Sequence, residues 1–253
     1  MKYKRIIHIS SIIFVGILLI MWEYAVYSKK LSAVLLPPPS EIFEVLKRQF
    51  ILGTLLRHIK ASFTRVMLGY FFGSLSGIVL GFVLYAFPKL SAFVQFPLGL
   101  IRPIPSMALF PIFILWLGIG EISKIVVIAF VAFWPVFLNT EEGVRQTDKN
   151  LVELSQVLKK KRIKKITSII IPSSIPYIFS GLRLGISRAW GGVVVAEMLA
   201  ASSGIGFLIE YSREMSQSAV MFMSVIVIAV IGFGIDVILK FSQKKICFWS
   251  KEL

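Results

Sequence analysis

The sequence predicts an all-α polytopic membrane protein with six transmembrane helices, and three observations carry that prediction. The chain of 253 residues is 57% apolar and only 16% charged, with a mean hydropathy of +0.83, whereas soluble domains carry about 25% charged residues. Apolar stretches of about 20 residues recur, the length that crosses a hydrocarbon core roughly 30 Å thick. The net charge of +15 falls mostly between those stretches, which reads as a topology signal before it reads as a nucleic-acid footprint.

In chain order the spans are read as Ile9–Tyr27, Val66–Phe87, Leu98–Leu117, Lys124–Leu138, Ile178–Ala200 and Ala219–Lys240. The first follows Lys2, Lys4 and Arg5 as a secretory leader would. It is too long for one, and no small-residue cleavage site follows, so it reads as a retained anchor. An even number of spans puts both termini on one side. With the termini cytoplasmic, 16 lysines and arginines fall inside and 9 outside, a bias in the expected direction. The segment Lys29–Arg65 then lies outside despite its charge, as an amphipathic external helix. Gly69, Gly73, Gly77 and Gly81 in the second span form a smooth stripe on a helix, read as a packing seam within the subunit. Pro97, Pro103, Pro105 and Pro111 predict a kinked or unwound third span. Irregular backbone at membrane depth survives only beside protein or a water-filled cavity, so Arg102–Pro111 is expected near a pathway or at a plain kink.

Between the fourth and fifth spans, Asp148–Pro172 reads DKNLVELSQVLKKKRIKKITSIIIP. Leu151, Leu154 and Leu158 share one helical face, and Ile163, Ile166 and Ile170 share another. Two short amphipathic helices joined near Lys159–Lys161 are therefore expected on the cytoplasmic surface. They would rest on anionic lipid or dock a cytoplasmic partner.

This stretch resembles the Glu-Ala-Ala docking loop of bacterial ATP-binding cassette (ABC) importer permeases. Glu153 stands at the glutamate, Leu154 and Ser155 stand at the alanines, Lys159 stands where the family has glycine, and Pro172 closes the motif. The patches LLPPPSEIF (Leu35–Phe43), LLRHIKASFTRVMLGY (Leu55–Tyr70), IRPIPSMALFPIFILWLGIGEISK (Ile101–Lys124) and IPYIFSGLRLGISRAWGGVVVAEMLAASSGIGFLI (Ile175–Ile209) are similar, in the same order, to the branch that imports sulfonates, taurine and nitrate. The resemblance implies a type I (MetI-like) permease fold, with an N-terminal anchor and external segment over 1–57, the transmembrane domain over 58–241 and a cytoplasmic tail over 242–253. It implies two copies of an ATP-binding subunit, a second permease copy, an external substrate-binding protein and a bacterial plasma-membrane location. Leu151, Glu153, Leu154, Ser155, Leu158 and Lys159 would couple to the ATPase. A glycine at position 159 would suit a left-handed turn, and a lysine held there costs about 1 kcal/mol or more.

No GxxxxGK[ST] phosphate loop occurs, so ATP belongs to a partner chain, and neither a cofactor nor a catalytic residue is expected in this one. The single cysteine, Cys247, excludes an intrachain disulfide and multi-cysteine metal sites. His8 and His58 are too far apart in sequence to suggest a metal centre, and no His/Asp/Glu cluster supports a membrane-embedded enzyme. An ion-coupled secondary transporter would more often show internal repeats, and none is evident. Arg183, Arg188 and Glu197 fall within the fifth span, where ionised groups are costly and face partners or water. Arg183 and Glu197 are about 21 Å apart along a helix and cannot pair. Arg102, Arg188 and Glu197 are the candidate pathway residues, Arg188 foremost because guanidinium matches sulfonate or carboxylate oxygens. The expected cargo is a small anion, with a thiamine-precursor pyrimidine or other small heterocycle as the second reading.

Overall fold

The protein is described here from a computed structural model covering residues 2–28, 32–159 and 162–246. Lys29, Lys30, Lys160, Lys161, Cys247 and the end of the expected tail lie outside the described residues. The described chain is helical from end to end, with α1 (Lys2–Tyr27), α2 (Pro39–Ile51), α3 (Thr54–Ala86), α4 (Pro88–Ile101), α5 (Ser106–Leu117), α6 (Glu121–Arg145), α7 (Lys149–Val157), α8 (Arg162–Lys165), a π-helical turn (Ile166–Ile170), α9 (Ile171–Ala200), α10 (Ile205–Glu214) and α11 (Ser218–Ile246).

Four stretches among the described residues are long and apolar enough to cross a membrane: Thr54–Ala86, Glu121–Arg145, Ile163–Ala200 and Ser218–Gln243. A fifth crossing exists if α4 and α5 count as one span, although they meet at 99°. α1 contributes a shorter apolar stretch, Ile13–Tyr27. The six expected spans thus correspond to α1, α3, α4–α5, α6, α9 and α11, but the third is not one helix. Pro103 and Pro105 occupy the break between Ile101 and Ser106, and each removes a backbone donor that an unbroken helix would need.

The bundle is built on α3, α6 and α9. Val66 of α3, Ile128 and Ala132 of α6, and Ala189, Trp190 and Val193 of α9 form its centre with Ile205 of α10. The glycine stripe of α3 is what allows the approach. A side-chain carbon added at Gly73 would collide with the carbonyl of Ala129, and Gly69 and Gly81 press on Ile128 and Thr140 of the same helix. The stripe is an internal seam, as read from the sequence. Away from it the helices show large apolar side chains outward, for example Phe71, Phe72, Phe233 and Phe241, the surface expected where the solvent is lipid.

Two element boundaries differ from those read in the sequence. α3 begins at Thr54, twelve residues before the expected span start, so the 57/58 boundary falls inside a continuous helix and the external segment keeps only α2 as a helix of its own. Hydropathy truncated α3 at Arg65, but that arginine is buried and fully partnered within the bundle. The two short helices expected after Asp148 are one short helix, α7, followed by a helix that runs unbroken in direction from Ile163 to Ala200. Pro172 does not end that helix because the turn before it is π-helical. There the Ile171 N–H donates to Ile166, five residues back, which redistributes the bonds around the missing proline donor.

Candidate translocation site

The unwound segment between α4 and α5 lies against α6 and α9 and closes one side of a cavity of about 500 Å³. Arg102, Pro103, Ile104, Pro105 and Ser106 form that side. Val131, Trp134, Pro135, Leu138 and Asn139 of α6 and Leu184 and Arg188 of α9 complete the lining. The proline pair that breaks the span is therefore what brings Arg102 to Arg188, 86 positions later in the chain. Both arginines are exposed, and among the described residues neither has an ionic partner or a side-chain hydrogen bond. Asn139 lies beside them with its amide donating to the Pro135 carbonyl at 2.8 Å. The walls between these polar groups are aliphatic and aromatic. Such a space, apolar with two convergent free cations, fits a small anion.

The other deep arginines are neutralised. Arg183 of α9 donates to Asp236 of α11 through Nε at 2.8 Å and Nη2 at 3.0 Å, a bidentate pair at a half-exposed position. Arg65 is only 4% exposed and uses its whole guanidinium. Nε and Nη2 donate to the two carboxylate oxygens of Glu121 at 2.6 and 2.8 Å. Nη1 donates to Glu197 Oε1 at 2.7 Å and to the Ser203 carbonyl at 2.5 Å, and Nη2 reaches Ser203 Oγ at 3.0 Å. Lys124 sits 2.8 Å from Glu121, so two cations face two carboxylates and the cluster is formally neutral.

Glu197 is 1% exposed and does not line the cavity. Its Oε2 accepts from Ser62 Oγ at 2.8 Å and from the Gly206 N–H at 2.9 Å. Ser62 accepts in turn from the Ile205 N–H at 2.8 Å, and His58 Nδ1 accepts from the Gly204 N–H at 3.1 Å. Three otherwise unpaired donors at the start of α10 are thus capped by side chains of α3 and α9. Gly204 has φ +118°, and a side-chain carbon there would overlap the Glu197 carboxylate, so this close turn requires glycine. The knot fastens α3, α6, α9 and α10 at one end of the bundle. Glu197, expected from the sequence among the pathway residues, lies in this knot and not in the cavity lining. Arg65, Ser62, Glu121 and Lys124 were missed because Arg65 and Ser62 of α3 lie 56 or more positions from the carboxylates they bind on α6 and α9, and no short motif links the cluster.

At the opposite end, α7 presents Leu151, Leu154 and Val157 outward, with Leu158 just beyond it, all 44 to 78% exposed, together with exposed Glu153. Ser155 differs. It is 2% exposed and its hydroxyl donates to the Val152 carbonyl at 2.6 Å, so it faces inward. Lys159 has φ +48°, the left-handed conformation for which the family's glycine is suited. A smaller groove of about 370 Å³ between α3, α4 and α6 holds Arg145, but Arg145 is already paired with Glu141 at 2.6 Å and offers no free charge.

A bundle of apolar helices, a broken span and a largely apolar cavity holding two arginines suit a membrane permease. The family profile described as "Binding-protein-dependent transport system inner membrane component" matches residues 49–247, and the chain belongs to that family. It is 34% identical over 98% of its length to 90% of a Bacillus subtilis protein named as an aliphatic sulfonates transport permease, SsuC. It is 32% identical over 94% of its length to 88% of the taurine transport system permease protein TauC of Escherichia coli. It is 33% identical over 73% of its length to 67% of the nitrate import permease protein NrtB of a Synechocystis species. A chain from an inward-facing structure of the MetNI methionine ABC transporter superposes with a TM-score of 0.64, covering 78% of this chain and 95% of that one at 18% identity, which establishes a shared fold. The protein is an ABC importer permease subunit and not an enzyme.

Proposed function

We propose that this permease passes a small oxyanion of the sulfonate, taurine or nitrate class through the cavity between Arg102 and Arg188. One observation carries the reading: among the described residues these are the arginines of the cavity without a carboxylate partner, while Arg65 and Arg183 are each neutralised. A buried ion-lined pathway needs charge that is available to cargo, and a pair already satisfied within the protein supplies none. The names of the curated relatives support the same class. The apolar wall around the two cations suits an anion with a short organic part.

The working assembly is two permease copies, two ATPase subunits in the cytoplasm and a binding protein outside, in the bacterial inner membrane with both termini cytoplasmic. α7 is the coupling element. Its leucines are exposed among the described residues, and Leu154→Asp would place a carboxylate in a contact that excludes water, at a cost of several kcal/mol. The transmembrane domain is taken as 58–241, beginning four residues into α3 and ending within α11. Uptake of labelled anion into vesicles holding the whole transporter tests the cargo assignment. Arg188→Gln is expected to abolish most uptake while leaving the ATPase bound. A binding protein that took only sugars or peptides, or uptake indifferent to both arginines, would remove the reading.

A further inference from the structure

We infer that α2 is an interfacial helix lying on anionic lipid headgroups, with Phe43, Lys47 and Phe50 in contact with the lipid. The helix has three faces. Ile42 and Val45 are 5% and 8% exposed and pack on Ala219, Val220 and Met223 of α11. Phe43 and Phe50 are 67% and 57% exposed, and Ile51 and Leu52 at the end of the helix are 72% and 67% exposed. With 3.6 residues per turn, Lys47, Phe50 and Ile51 lie within roughly 80° of Phe43, while Glu44, Arg48 and Glu41 lie roughly 100–160° away on a polar side. A helix that is polar on only one of its exposed sides, with a lysine inside the apolar one, is the pattern of a segment lying in a headgroup layer. Its apolar face sinks about 5–10 Å and its lysine snorkels to phosphate.

The connections fix where the helix sits. At its start, Ser40 donates through its hydroxyl to Glu23 near the end of α1 at 2.6 Å. Beyond its end, only Leu52 and Gly53 separate it from α3, and Gly53 turns the chain at φ +71°. α2 therefore spans the gap between the ends of two membrane helices, at the boundary between lipid and water. Its apolar stripe leads into the exposed side chains Leu56, Phe63 and Met67 of α3. Lys47, Arg57 and Lys60 are exposed and have no acidic partner among the described residues, which selects anionic headgroups over zwitterionic ones.

The test uses the reconstituted transporter with Cys247→Ser and one nitroxide label, placed at Phe50→Cys or Glu44→Cys. Collision with dissolved oxygen reports lipid, and collision with a water-soluble nickel chelate reports water. In phosphatidylcholine vesicles containing phosphatidylglycerol, the label at position 50 is expected to favour oxygen severalfold and the label at 44 to favour nickel. Removing phosphatidylglycerol, or adding Lys47→Glu, is expected to reduce the oxygen preference at 50. A label at 50 reached mainly by nickel overturns the inference in favour of a solvated helix. One reached by neither overturns it in favour of a protein contact, either a second permease copy or the binding protein. An oxygen preference that ignores both lipid charge and Lys47→Glu overturns the anionic part.

Discussion

The arginines of this bundle are used in two opposite ways. At one end Arg65 is sealed among Glu121, Glu197, Ser203 and the start of α10, every donor engaged and almost no surface exposed. About 13 Å along α9 from Glu197, Arg188 stands open in a cavity that Arg102 also lines, with no carboxylate among the described lining residues. The same side chain is a fastener in one place and a free positive charge in the other. What decides between them is the supply of acids. Glu121 and Glu197 converge on Arg65 because α6 begins and α9 ends at that level, whereas the unwound Arg102–Pro105 segment brings an arginine to the cavity and no acid with it.

The contrast can be broken most forcefully at the knot. Glu197→Leu leaves Arg65 buried with one of its two carboxylates gone and is expected to cost about 3–5 kcal/mol, seen as a large fall in the unfolding temperature of the purified protein. The double variant Arg65→Met with Glu197→Leu is expected to lose much less than the sum of the single changes, because no charge is then stranded. Equal and additive losses would mean that the pair is not coupled. Gly204→Ala is expected to cost about 1–3 kcal/mol by forcing an alanine to positive φ against the Glu197 carboxylate. Its unfolding curve should shift in the same direction as that of Glu197→Leu and by less. Asp236→Asn sharpens the contrast from the weak side. The Arg183 pair is partly exposed, with side-chain exposures of 34% and 40%, so its loss is expected to move stability by no more than about 1 kcal/mol. A shift as large as that of Glu197→Leu would show the pair to be sealed in the assembled transporter.

Much of this was readable in the chain. Apolar stretches of membrane-crossing length marked the helices of the bundle, the four-residue glycine spacing marked an internal seam, and the proline run marked the broken span. The motif around Glu153 marked position 159 as the place where the family's glycine suits a left-handed turn, and Lys159 adopts that conformation with φ +48°. The rest depended on contacts between distant positions. Arg65 looked like a solvated residue because hydropathy cannot distinguish a cation outside the membrane from one neutralised inside it. Glu197 looked like a pathway residue for the same reason, and Asp236 drew no notice although it holds Arg183. The continuity of α9 through Pro172 was hidden because a proline usually signals a helix start or stop, and a single π-helical turn accommodates it here.

The central claim is that the unpaired arginines serve cargo while the paired ones serve the fold, and one paired measurement tests it. Anion uptake and unfolding temperature are determined for Arg188→Gln in the reconstituted transporter, with Arg188→Lys as the charge-keeping control. The account predicts that Arg188→Gln lowers the uptake rate about tenfold to a hundredfold, the worth of one charged hydrogen-bonding contact. It also predicts an unfolding temperature unchanged from that of the parent and partial recovery of uptake in Arg188→Lys. Undiminished uptake in Arg188→Gln, or a loss of uptake that simply follows a loss of stability, would contradict it.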